Sequence, residues 1–174
     1  KLPPEILPAK DQPKAQQEEY SHTYYQGLLV ELGNFKNYKT FVPNQDKNKL
    51  YLGRKLSEFT TIPAIYNFSY DHIVRTTQTV DVTWFNQRHY PNSFFEVEHS
   101  TDIHKSLLKF VEFQDFRVNC YIVADNQRRA EFDSKIALTA FTPIKSLVKF
   151  WNYDAVSELH TKISASVLAE QALL

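Results

Sequence analysis

The spacing of apolar residues changes repeatedly along the chain, and each change marks an element. Tyr24, Leu28 and Leu32 recur at steps of four with Leu29 beside them. This predicts a helix capped by Ser21 and stopped at Gly33. A short strand is expected over 38–42, ended by Pro43, and a short helix over 52–59 before Pro63. Residues 72–99 read as a β-hairpin. The stretches 77–85 and 94–97 are β-branched and aromatic, and the polar stretch 86–92 between them carries Pro91. Ser100 or Thr101 then caps a helix whose inner face is Ile103, Leu107, Phe110 and Val111. The unbroken apolar run 118–124, which contains the single Cys120, is a strand buried on both faces. A helix over 128–140, a strand over 147–151 and a final helix over 154–168 follow. That last helix carries Val156, Leu159, Ile163 and Val167 at helical spacing.

Read in order, these elements predict an α/β fold with a mixed central sheet flanked by helices. Residues 1–17, rich in Pro, Gln, Lys and Glu, are expected to form a flexible arm, and 18–174 a single domain. The chain opens on Lys1 and holds no methionine, which suggests a fragment of a longer chain. No apolar run approaches the ~20 residues of a membrane helix, so no membrane partner is expected. With 3 glycines there is no Gly-rich phosphate loop, and a nucleotide cofactor is not expected. One cysteine excludes an internal disulfide framework and fits a cytoplasmic location.

Net charge is zero, with 20 basic and 20 acidic residues, but the distribution is uneven. Lys36, Lys39, Lys47, Lys49, Arg54 and Lys55 cluster around one acid, Asp46, with Tyr38, Phe41 and Tyr51 interleaved. Basic residues mixed with aromatics suit phosphate contact and base stacking, although a solvated lysine loop reads the same way.

The chemistry-bearing stretch is Val80-Asp81-Val82-Thr83-Trp84 followed by Phe94-Phe95-Glu96-Val97-Glu98-His99. Glu96 and Glu98 share a strand face, roughly 7 Å apart at the backbone. A hairpin centred near Arg88 and His89 sets Asp81 opposite Glu96 or Val97. In the first register three carboxylates converge, framed on the other face by Val80, Val82, Trp84, Phe94, Phe95 and Val97. Crowded carboxylates repel, and a divalent cation relieves the repulsion; Mg²⁺ prefers such hard oxygen ligands. The plainer reading is that Asp81 and Glu96 are rim residues and Glu98 pairs with a lysine such as Lys105.

An Asp on one strand followed by Glu-x-(Lys or Glu) on the next resembles the signature of the PD-(D/E)xK nuclease superfamily. The run Phe95-Glu96-Val97-Glu98, leading into a helix with Leu107, Leu108 and Phe110, resembles the Glu-Val-Glu variant of some restriction endonucleases. The resemblance spans residues 21–140 and implies a restriction-endonuclease-like core and a metal-dependent DNA endonuclease. Val80 stands where the family has proline, and Glu98 where it usually has lysine. The resemblance further implies that Asp81, Glu96 and the Val97 carbonyl bind Mg²⁺ or Mn²⁺. Glu98 would orient the attacking water, and Glu31, in the preceding helix, would join the catalytic set. Lys36, Lys39, Lys105 and Lys109 are the lysines placed to contact DNA, solvated lysines being the alternative. His99 adjoins the acids as a hydrogen-bonded or surface group.

Two other readings compete. In one, the fold serves as a catalytically inactive module for DNA binding or protein assembly. In the other, paired carboxylates hydrolyse glycosides, a chemistry that needs acids facing each other across an open cleft. A homodimer is the simplest way to cut both strands of a symmetric duplex, and the apolar end of the final helix is its candidate surface.

Overall fold

The computed structural model describes residues 13–174; the portion of the expected arm over 1–12 lies outside the described residues. The first helix, α1 (Lys14–Phe35), starts seven residues before the expected Ser21 cap. From Thr23 to Gly33 it is buried almost all round, because it lies between the sheet and other elements. Two glycines permit this. A Cβ on Gly27 would sit 2.2 Å from the Tyr51 ring, and one on Gly33 would sit 2.5 Å from Trp84 Nε1. Trp84 Nε1 donates to the Leu29 carbonyl at 3.0 Å, tying helix to sheet.

The strand β1 (Lys39–Phe41) forms as expected. The helix expected over 52–59 does not. In its place, β2 (Leu50–Tyr51) and β3 (Arg54–Lys55) pair as a hairpin, followed by a short 3₁₀ turn. Leu52 and Gly53 both take positive φ, 52° and 77°, the backbone of a tight two-residue hairpin turn. Chain reversal at Gly53 therefore overrides the apolar spacing. A short helix, α2 (Asp71–Thr77), occupies the start of the expected hairpin. The hairpin itself is β4 (Val82–Phe85) and β5 (Pro91–Glu98), paired Val82 with Phe95 and Trp84 with Ser93.

The chain continues through α3 (Ile103–Val111), β6 (Asn119–Ala124), α4 (Arg129–Ile136), β7 (Val148–Asn152) and α5 (Tyr153–Gln171). The five-stranded sheet runs β1-β4-β5-β6-β7 and is mixed. β1, β4 and β5 pair antiparallel, whereas β5, β6 and β7 are parallel. Helices cover both faces. α1 and α5 pack on Val82, Trp84, Phe95, Val97, Tyr121 and Val123. On the other side Ile103, Leu107, Phe110 and Phe132 from α3 and α4 pack with Phe94, Cys120 and Ile122. β6 is thus buried on both faces by strict alternation, as its sequence predicts.

Strand direction positions the site. The parallel strands β5, β6 and β7 end on one edge of the sheet, and antiparallel β4 begins there. Asp81, Glu98, Asp125 and Tyr153 consequently share that edge, where open α/β sheets bind ligands. Among the described residues no helix is long and apolar enough to cross a membrane.

Candidate metal and nuclease site

The register that pairs Val82 with Phe95 extends by one step to set Asp81 opposite Glu96. Asp81 caps the strand end: its Oδ2 accepts from the Val97 amide at 2.8 Å and lies 3.2 Å from His22 Nε2 on α1. Glu96 and Glu98 alternate with Phe95 and Val97, so both turn toward α3, and each is almost fully buried. Phe94 lies on this acid-bearing face, as does Val80, rather than in the apolar frame expected behind it; period-two alternation requires this of Phe94.

α3 supplies the partners. Ser106 donates to Glu96 Oε2 at 3.2 Å and also to Glu98 Oε1. Thr101 donates to Glu98 Oε2. Lys109 donates to Glu96 Oε1 at 2.7 Å and to the Thr79 carbonyl at 3.0 Å. Asp102, through its bond to the His104 amide, caps α3 and fixes where these groups start. Arg128 closes the far side, donating to the carbonyls of Glu98 at 3.2 Å and Thr101 at 2.6 Å.

Burial and the Asp81 charge raise Glu96 well above the ordinary carboxylate range, against the opposing Lys109 cation. Burial likewise pushes Glu98 up to about 7; the Ser106 bond opposes this and Asp81 adds to it. Burial disfavours the charged form of His22, but its bond to Asp81 and the charges of Asp81 and Asp46 leave its pKa raised. The Asp81 charge thus acts on both Glu96 and Glu98, and Ser106 lies between the two glutamates.

Glu31 is not brought to them. It lies nine residues beyond His22 on α1, about 13 Å along the helix and on its opposite side. There it accepts from Tyr51 Oη at 2.6 Å and sits 3.3 Å from His160 Nε2. Burial alone would raise Glu31, but the bonds to His160 and Tyr51 leave it lowered, as suits a structural carboxylate. Lys39 pairs with Phe85 at the hairpin end of β4, roughly 13 Å from Asp81, and Lys36 precedes it at that same end. Lys105 is exposed on α3 and does not enter the site. Lys109 does enter it. His99 stands beside it, with Tyr153 Oη 3.4 Å from its Nδ1.

The structure adds His22, Gln26, Asp46 and Lys49 to the acids. Gln26 donates through Nε2 both to Asp46 Oδ2 and to the Asp81 carbonyl, each at 3.0 Å. Lys49 lies 3.1 Å from Asp46 Oδ1 and 3.5 Å from Glu19. The helical spacing of Glu18, His22 and Gln26 marks a polar stripe on α1 that could have been read beforehand. Asp46 could not, since only its loop's folding buries it to 2%. His22, Asp46 and Lys49 line a cleft of about 380 Å³ with Asp81 and His99, and Gln26 lies buried behind it.

The donors are hard oxygens that suit Mg²⁺. As arranged, Ser106, Thr101, Lys109 and His22 engage them. Among the described residues no group of three or more His, Cys, Asp or Glu side chains is disposed to hold a metal ion.

No curated protein and no solved structure matches the chain. A family model does, over residues 1–172, and its description is the C-terminal domain of the type II restriction enzyme NmeDI. The match takes in α1, the β4–β5 hairpin, α3 and every residue of the acid site. By that match the chain belongs to the type II restriction enzyme NmeDI C-terminal domain family.

Proposed function

We propose that this domain is the nuclease centre of a restriction-type enzyme, hydrolysing DNA phosphodiester bonds with a divalent cation. The observation that carries the reading is the buried pair Glu96 and Glu98 beside Asp81 at the carboxyl edge of the sheet, where Asp81 itself lines a cleft. A purely structural sheet has no use for two buried acids that repel a third.

Asp81, Glu96 and the Val97 carbonyl would hold Mg²⁺ or Mn²⁺. Such an ion supplies a hydroxide-like nucleophile and neutralises charge developing on the phosphate. Glu98, held near neutrality, can accept a proton from water at its Oε atoms. Ser106 and Thr101 fix its rotamer, and Arg128 fixes its backbone. Lys109 places a cation on Glu96 and offsets part of the local negative charge. His22 orients Asp81.

The inactive-module reading is favoured by one observation: each of these acids already has a hydrogen-bonding or cationic partner. Plasmid DNA incubated with the chain and Mg²⁺ separates the two. Nicked or linear product is expected with wild type, and none with EDTA or with Asp81→Asn. Equal product from wild type and Asp81→Asn would sink the assignment.

A further inference from the structure

A second cleft, of about 540 Å³, adjoins the acid site and shares Glu18, His99 and Ser100 with it. We propose that this cleft is a nucleobase subsite, taking a base next to the scissile phosphate; the identity of that neighbour rests on the nuclease reading above.

An aromatic stack lines it. Tyr25 and Tyr153 stack at 3.6 Å between ring centroids and 7° between planes. The His99 ring lies within 10° of parallel to Tyr153, with centroids 6.1 Å apart. His99 is only half-buried and lines the cleft, so part of its imidazole is available there for a base to stack on. Gln127 supplies an edge-reading group. Its backbone amide is held by the Asp125 side chain at 2.8 Å. Its exposed side-chain amide forms no hydrogen bond among the described residues, and such an amide can pair with a base edge.

Charge decides between base and phosphate. Glu18, Asp125 and Asp154 line the cleft against Lys14 and Arg128. The Arg128 guanidinium is already committed to Glu131 and to the Glu98 and Thr101 carbonyls. An acid-rich wall repels phosphate and leaves a neutral, stackable ring as the ligand that fits. A duplex base reaches such a cleft by leaving the stack, at a cost of a few kcal/mol.

The test is NMR titration of the ¹⁵N-labelled chain with each of the neutral deoxynucleosides, in EDTA, with deoxyribose as control. Saturable shifts are expected at the amides of His99, Gln127 and Arg128 for at least one nucleoside and not for deoxyribose. The double variant His99→Ala, Gln127→Ala should weaken binding at least fivefold; Gln127→Ala alone, at an exposed position, should weaken it severalfold with the spectrum otherwise unchanged. Absent shifts, shifts confined to other surfaces, or equal binding by the variants would overturn the proposal. Because no metal and no cleavage enter, the outcomes separate. Nucleoside binding without plasmid cleavage removes the nuclease reading alone, and cleavage without nucleoside binding removes the subsite alone.

Discussion

Glu98→Gln keeps the shape of the side chain and removes its charge, so it measures what the site costs the fold. Burial and the Asp81 charge, opposed by the Ser106 bond, hold the carboxyl up at about 7, against 4.5 for a free glutamate. Each tenfold change in proton affinity is worth about 1.4 kcal/mol, so ionising Glu98 costs the folded chain about 3 kcal/mol more than the unfolded one. The folded state holds the proton more tightly, so stability must fall as pH rises from 4.5 to about 7, with the full penalty present at pH 8. The raised value of Glu96 acts with the same sign. So does His22: its pKa is raised, so its contribution is whole below 6.5 and is lost as pH climbs through the folded value. Urea denaturation in EDTA at pH 5 and pH 8 reads the effect. The variant should be more stable than wild type by about 1 kcal/mol or less at pH 5 and by about 3 kcal/mol at pH 8, the latter roughly 6–12 °C in Tm. The slope that remains in the variant belongs to Glu96 and His22, opposed by His99, whose pKa burial lowers. If Glu98 also works as proposed, the stabilised variant loses DNA cleavage. Equal stability of the two proteins at pH 8, or a wild type that gains stability between pH 5 and pH 8, would refute the reasoning.

Three further outcomes are expected. Mg²⁺ or Mn²⁺ should raise the Tm of the wild-type chain in a thermal-shift assay and leave Asp81→Asn unmoved, because binding to the folded state alone stabilises it. Gly27→Ala should cost about 2–3 kcal/mol in chemical denaturation, since the new methyl meets the Tyr51 ring at 2.2 Å and an overpacked core must shift. Glu31→Gln should lower stability by about 1–3 kcal/mol through weakened bonds to Tyr51 and His160, while plasmid cleavage per folded molecule stays at the wild-type level.

Local pattern determined most of the layer arrangement. The run 118–124 is apolar at successive positions because β6 has a helix layer on each face. The spacing of Ile103, Leu107 and Phe110 is that of a helix lying on the sheet. The alternation in Phe95-Glu96-Val97-Glu98, with a loop centred near Arg88 and His89, narrowed the partner of Asp81 to Glu96 or Val97, because strand period and hairpin register are short-range properties, and the pairing of Val82 with Phe95 selects Glu96. Position along a helix is a different matter. Nothing in the sequence near Glu31 distinguishes it from His22, and only the packing of α1 decides that His22 meets Asp81 while Glu31 turns to Tyr51 and His160. The β2–β3 hairpin escaped detection because two positive-φ residues, Leu52 and Gly53, reverse the chain within an apolar spacing that also suits a helix. The basic segment shows the same division most sharply. As a sequence it is one cluster, but β1 carries Lys39 to the hairpin end of the sheet while the following loop returns Asp46 and Lys49 to the acids. Charge neighbours along a chain become charge neighbours in space only where the strands run the right way, and strand direction is settled by the sheet as a whole.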